Sequence, residues 1–226
     1  ALALAAQGAR VAVAARRRDR LDALAARIAA AGGEALVVVA DFADEAQAQL
    51  AVKEAEVHFG RLDIVVNNAG VMYLEPVDSA DLGRWRHMFE LNVLGLIAAT
   101  QAALPGMRRR RDGHIVNVAS TAGRLAAPNA AGYAASKFGV VGFSEALRKE
   151  VFKDNIRVTV IEPGVVETEL REHIAHAATQ QALNAWADSM RQLKSEDVAN
   201  VIAFCVAQPD HVNINEILMR PTDQER

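Results

Sequence analysis

The amino-acid sequence predicts a doubly wound, parallel α/β sheet, and three observations carry that reading. Short Val- and Ile-rich runs alternate with helix-length segments from the first residues to the last. Such alternation implies parallel strands joined by right-handed crossovers. Runs such as "ALVVVA" and "LDIVV" do not alternate polar and apolar residues, as expected of strands covered on both faces. The length of 226 residues with 51% hydrophobic composition suits one α/β domain with a continuous core. There is no internal repeat, low-complexity linker or domain boundary, so residues 1–226 read as a single domain.

The elements follow in order. Residues 1–7 are expected to be the last turns of a helix, with Gly8 as its stop. "RVAVAA" (10–15) is a strand, and the Arg/Ala/Leu helix after it runs to about Ala31 and stops at Gly32-Gly33. "EALVVVA" (34–40) is the next strand, 44–58 a helix, and "LDIVV" (62–66) a strand ending at Asn67. Helix is expected over 79–110 in two pieces, then the strand "HIVNVAS" (114–120) and a helix over 130–153. "IRVTVIE" (156–162) is a strand, helical segments cross about 167–192 and 195–207, and "NEILM" (215–219) is the last strand.

Several function classes are disfavoured by composition. A net charge of −3 argues against a general nucleic-acid or membrane-surface binder. The Arg108–Arg111 run reads as the cationic last turn of a helix. Cys205, the single cysteine, lies in "VIAFCVA" and permits no internal disulfide; it reads as a buried small hydrophobe and fits a reducing cytoplasm. No apolar run approaches the ~20 residues of a membrane span, and Gly8 divides the apolar opening into helix and strand. His173 and His176 are three apart on a helical segment but have no evident third ligand, so no metal site is expected.

In a doubly wound sheet ligands bind at the carboxyl ends of the strands. Those ends here are "ARRR" (15–18), "ADF" (40–42), "NNAG" (67–70), "ASTAG" (119–123) and "EPGVVET" (162–168). Each carries polar or glycine residues that a core would not need. In Asn67-Asn68-Ala69-Gly70 the glycine lets the backbone approach a ligand, although the tetrapeptide also reads as a turn. Ser120 closes a strand, where a hydroxyl is commonly a cap. Tyr133, one of two tyrosines, has Lys137 four residues on, which places both side chains on one helical face. By itself that pair also fits a ring stacked on a lysine stem.

Taken together, NNAG, Asn92 in "ELNVLG", Ser120, Tyr133-x-x-x-Lys137 and Pro163-Gly164…Thr168 resemble the short-chain dehydrogenase/reductase family in order and spacing over almost the whole chain. Within it the chain is most similar to NADP-dependent aldehyde and 3-hydroxy-acid oxidoreductases. The resemblance implies a Rossmann fold and hydride transfer between NADP(H) and a small carbonyl/alcohol substrate. It makes Tyr133 the general acid in reduction and base in oxidation, with Lys137 lowering its pKa from near ~10 and holding the nicotinamide ribose. Ser120 would polarise the substrate oxygen. Asn92 would support a water relay to the lysine, or simply mark a helix kink. Cofactor contacts are implied at Asp41 (or a helix N-cap), Asn68, Ala69, Gly70, Pro163, Gly164 and Thr168, with a substrate lid at about 164–195. Trp186 and Met190 would line the pocket or pack on the core. A homotetramer or dimer is implied, joined through helices near 91–110 and 133–153.

Cofactor choice is read from the residues. "RVAVAA" ends in Ala15 and runs into Arg16, Arg17 and Arg18, with no carboxylate before Asp19. Proteins preferring NAD place an acid there. Guanidinium forks suit a 2′-phosphate, and cations are otherwise unfavourable at a helix start. Arg16 is expected as the main contact and Arg17 as its neighbour.

One departure concerns the glycine-rich turn with which the family begins. The chain starts at Ala1, inside the helix that follows that turn; a sheet lacking its first strand would be left with a gap and unpaired edges, so the expectation is that the working protein carries more residues upstream, with a strand and a glycine-rich turn. Two other functions compete with the dehydrogenase. A non-catalytic dinucleotide-binding regulator of the same fold has no use for a lysine-activated tyrosine. An epimerase or dehydratase would not interconvert oxidised and reduced cofactor with substrate.

Overall fold

A computed structural model describes residues 1–225. Helix α1 (Leu2–Ala5) leads through Gly8, at a φ of 87°, into strand β1 (Val11–Ala15) and helix α2 (Arg18–Ala30). Then come β2 (Ala35–Val39), α3 (Glu45–Phe59) and β3 (Ile64–Asn67). Helices α4 (Leu82–Phe89) and α5 (Leu96–Arg110) precede β4 (Gly113–Val118), α6 (Ala131–Val151) and β5 (Ile156–Pro163). Helices α7 (Ala177–Asp188) and α8 (Ser195–Val206) lead to β6 (Glu216–Met219).

All strand pairings are parallel, but the strands form two sheets, β1-β2 and β3-β4-β5-β6. The strand order reverses between β1 and β3, and these two strands are not paired. Val11 and Ala12 of β1 line one cavity with Ile64 and Val66 of β3. Behind the larger sheet lies a core of Val65, Ile115 and Val158 from three neighbouring strands, packed on Ala99, Met107 and Leu147 from α5 and α6. The apolar runs fail to alternate because helices cover both faces.

Helix 79–110 differs from expectation. Its two pieces are one continuous helix, joined by a π-helical segment at Glu90–Gly95. The segment ends in close packing: a Cβ on Gly95 would stand 1.9 Å from the Phe42 carbonyl oxygen. The resulting helix, Leu82–Arg110, is long and apolar enough to cross a membrane by composition, contrary to the reading above; half of its apolar window is buried inside the fold. It ends on Arg108, Arg109 and Arg110 with Arg111 in the left-handed region, as the basic run predicted. Cys205 is buried, 1% exposed. Asp41 is not the cap of α3. Asp44 is, accepting from the backbone N–H groups of Ala46 and Gln47, while Asp41 accepts from its own neighbour Ala43.

Two buried polar chains tie the sheet to its helices. Asn67 donates to Thr100 Oγ1 (3.2 Å) and Asn117 Oδ1 (2.8 Å), and Asn117 donates to Ser144 Oγ (2.8 Å). His114, 1% exposed, bonds Thr159 Oγ1 at 2.8 Å through Nε2. The Thr159 hydroxyl donates to the Ile214 carbonyl, so the imidazole must be the donor, leaving Nδ1 buried without a partner. Burial, with the Arg157 charge second, pushes its pKa down to about 3. A folded-state pKa below the unfolded value of ~6.5 means that stability is full above that pH and falls as the pH drops toward 3. Urea midpoints are expected to fall between pH 7 and pH 4.5 more steeply in the wild type than in His114→Leu, by about 1.4 kcal/mol per pH unit below 6.5. Parallel slopes would show that His114 is charged inside the fold.

Candidate active site

The strand ends converge on a cavity of about 1560 Å³ that extends from Val11 and Ile64 to the lid helix α7. Asn68, Gly70, Ser120, Tyr133, Lys137, Pro163, Gly164 and Thr168 all line it. Trp186 lines it too, whereas Met190 does not. Ala69, Arg16, Arg17 and Asp41 are outside its lining.

Ser120 follows the buried end of β4 and caps the short 3₁₀ turn Thr121–Gly123, its Oγ accepting from the Ala122 N–H at 3.1 Å. Behind it, Arg124 binds the buried carboxylate of Glu162 at 2.7 Å and also pairs with Glu216, which pins the Ser120 loop to the end of β5. Tyr133 and Lys137 project from the first turns of α6, each 6% exposed. The Lys137 ammonium lies 5.8 Å from the centroid of the Tyr133 ring and donates to the Val118 carbonyl at 3.0 Å.

Electrostatics here correct the expectation for the phenol. Burial pushes the Tyr133 pKa up to about 12, and only a hydrogen bond with Ser120 pulls the other way. The Lys137 ammonium, over the ring rather than at the phenol oxygen, is itself desolvated, with a pKa lowered to about 8. In the site without ligand the phenol is therefore held protonated at neutral pH, which suits a proton donor.

Asn92 is placed differently from a residue facing the lysine directly. It lies in the π-helical segment, 1% exposed, and clasps Val71 with both ends of its amide: Oδ1 accepts from the Val71 N–H (2.8 Å) and Nδ2 donates to the Val71 carbonyl (2.9 Å). Nδ2 also reaches Ser136 Oγ at 3.2 Å. Gly70 sits between Asn92 and Lys137, and a Cβ there would stand 3.2 Å from Asn92 Oδ1 and 3.7 Å from Lys137 Nζ. The cradle is open because residue 70 has no side chain. Val71 and Ser136 escaped the sequence reading, since nothing in their type marks them as partners of Asn92.

Further along, Thr168 caps the 3₁₀ turn Glu169–His173 at the start of the lid. A Cβ on Gly164 would stand 2.2 Å from Gln224 Oε1, which accepts from the Val165 N–H. His176 caps α7 by accepting from the Thr179 N–H, and among the described residues no cluster of three or more His, Cys, Asp or Glu could hold a metal ion. Arg16 is exposed and has no hydrogen bond or ion pair among the described residues. Arg17 is not free: its Nη1 donates to Glu169 Oε2 at 2.9 Å across the mouth of the cleft.

The chain is similar to known proteins over most of its length. The short chain dehydrogenase family model matches residues 1–179. The chain is 36% identical over 226 residues to glycine betaine reductase ATRR of Emericella nidulans, covering 99% of itself and 18% of that longer protein. It is 31% identical to an uncharacterized oxidoreductase of Staphylococcus saprophyticus, covering 98% of itself and 89% of the relative. The closed form of a serine dehydrogenase complexed with NADP+ superposes with a TM-score of 0.89 at 32% identity, over 98% of this chain and 89% of the other. The chain belongs to the short chain dehydrogenase family, a family of oxidoreductase enzymes.

Proposed function

We propose that this chain uses NADP(H) to interconvert a small aldehyde or ketone with its alcohol. The observation that carries the reading is Ser120 beside the buried Tyr133 and Lys137 in one cleft, with Gly70 leaving its floor open. The segments "TELREHIAHAAT" and "NEILMRPTDQ" add a resemblance to clavulaldehyde reductase, which favours an aldehyde among carbonyl substrates. The serine dehydrogenase likeness keeps small 3-hydroxy acids in the same substrate class.

Bound NADPH supplies the hydride. Tyr133 donates the proton from its phenol to the substrate oxygen, and Ser120 positions that oxygen. Lys137 binds the nicotinamide ribose and supplies positive charge near the phenol, and Asn92 fixes the backbone at Val71 so that the floor keeps its shape. Asn68, Ala69, Gly70, Pro163, Gly164 and Thr168 shape the nicotinamide side, and Asp41 lies toward the adenine. In oxidation Tyr133 takes the proton back, which its high pKa permits only once positive charge gathers beside it.

Arg16, with Arg17 beside it, holds the 2′-phosphate. NADPH is expected to be preferred over NADH by at least ~10-fold in kcat/KM, one lost charge-assisted bond being worth about 1.5–3 kcal/mol. Arg16→Ala combined with Arg17→Ala removes most of that preference and leaves NADH kinetics nearly unchanged; a wild-type preference for NADH would contradict the assignment. The protein works in the cytoplasm as a homo-oligomer, a tetramer or dimer. Phe89, Leu94 and Phe138, exposed by 36%, 43% and 47% on the α4–α5 helix and α6, offer the apolar surface for it. Sedimentation showing only monomer at micromolar concentration would remove the oligomer.

A further inference from the structure

Glu169 joins two parts of the chain that are distant in sequence. It stands in the first turn of the lid, and its two carboxylate oxygens are divided between two arginines of the other wall. Oε2 accepts from Arg17 Nη1 at 2.9 Å, and Oε1 accepts from Arg20 Nη1. Arg17 caps α2 and Arg20 lies in its first turn, directly after the strand end that carries Arg16. The three side chains are between 45% and 57% exposed, so this is not an interior tie. Exposed ion pairs of this kind contribute little to folding. Their geometry is informative: an anion shared between two guanidinium groups is the arrangement a phosphate dianion adopts with arginines.

We propose that Glu169 is a built-in competitor for the cofactor's 2′-phosphate, occupying the Arg17–Arg20 site until the phosphate displaces it. The inference rests on the assignment of Arg16 and Arg17 to that phosphate. When the phosphate takes the Arg17 donors, Glu169 is released and the lid beginning at Thr168 loses its tether to α2. NADPH then binds at the expense of the closed contact, whereas NADH, with a ribose hydroxyl in place of the phosphate, binds without breaking it. The apparent dissociation constant of NADPH is raised by the inverse of the fraction of molecules in which the site is open. A surface contact of this type closed about 70–90% of the time raises it about three- to tenfold.

The test is Glu169→Gln in the full chain, which keeps the size of the side chain and removes its charge. NADPH and NADH are titrated at equilibrium by nicotinamide fluorescence, beside the Arg16→Ala/Arg17→Ala double variant. The expected result is NADPH binding about three- to tenfold tighter in Glu169→Gln, with NADH within twofold of wild type. Unchanged or weaker NADPH binding in Glu169→Gln, while the arginine variant still erases the NADPH preference, overturns the competitor role and leaves the phosphate assignment standing. An arginine variant that keeps the preference, or a wild type that binds neither cofactor, overturns both.

Discussion

Tyr133→Phe is expected to lower turnover by about 10³-fold while leaving the cofactor dissociation constant within about threefold of wild type. The substitution removes one oxygen and keeps the ring, so the packing of Tyr133 against Val71, Met88 and Ile174 survives. What disappears is the phenol proposed to hand a proton to a substrate oxygen beside Ser120. Burial pushes the pKa of that phenol up to about 12, so it stays protonated at neutral pH. A variant retaining turnover within tenfold of wild type would move the proton transfer to another residue.

Lys137→Met is expected to cost about 10²-fold in turnover and to weaken cofactor binding as well, because one ammonium serves both tasks. The ammonium is buried, bonded to the Val118 carbonyl, and has a pKa lowered by desolvation to about 8. Below that pH the lysine is charged; above it the charge is lost. The wild-type rate of reduction should therefore fall as the pH rises through about 8, with a profile that Lys137→Met flattens at its lower level. Lys137→Arg, permanently charged, should show no such limb. A wild-type rate that is flat to pH 9.5 would mean that the lysine stays charged or that its charge is not needed.

The architecture, and the candidate residues that line the cleft, were legible because both follow from local pattern. Strand and helix alternation needs only hydrophobic runs and their stops, and Gly8, Gly32 and Gly60 all take the positive φ that ends a helix. Ser120, Tyr133 and Lys137 are recognisable by order and spacing, and the end of β4 and the first turns of α6 bring them to one cavity. What escaped depends on three-dimensional packing. The π-helical segment ends where Gly95 meets Phe42, residues far apart in the chain. Arg17 reads as a free cation until Glu169, 152 residues away, is seen against it. Tyr133 and Lys137 sit as expected, yet the direction of the phenol's pKa depends on burial and on where the ammonium points, neither of which spacing reveals. Asp41 and Asp44 differ only in which one the backbone turns toward the α3 N–H groups.

Hydride transfer to a carbonyl carbon is the central claim, and isotope transfer tests it most directly. Wild-type protein and Tyr133→Phe are each incubated with NADPH deuterated at the transferring position of nicotinamide C4 and a panel of small aldehydes, ketones and 3-oxo acids. Absorbance follows the cofactor and mass spectrometry the product. The account predicts that at least one compound is reduced mole for mole with NADPH, that its alcohol carries one deuterium on the carbinol carbon, and that Tyr133→Phe slows the reaction by about 10³-fold. Product formed without cofactor consumption, or without deuterium at that carbon, would contradict it.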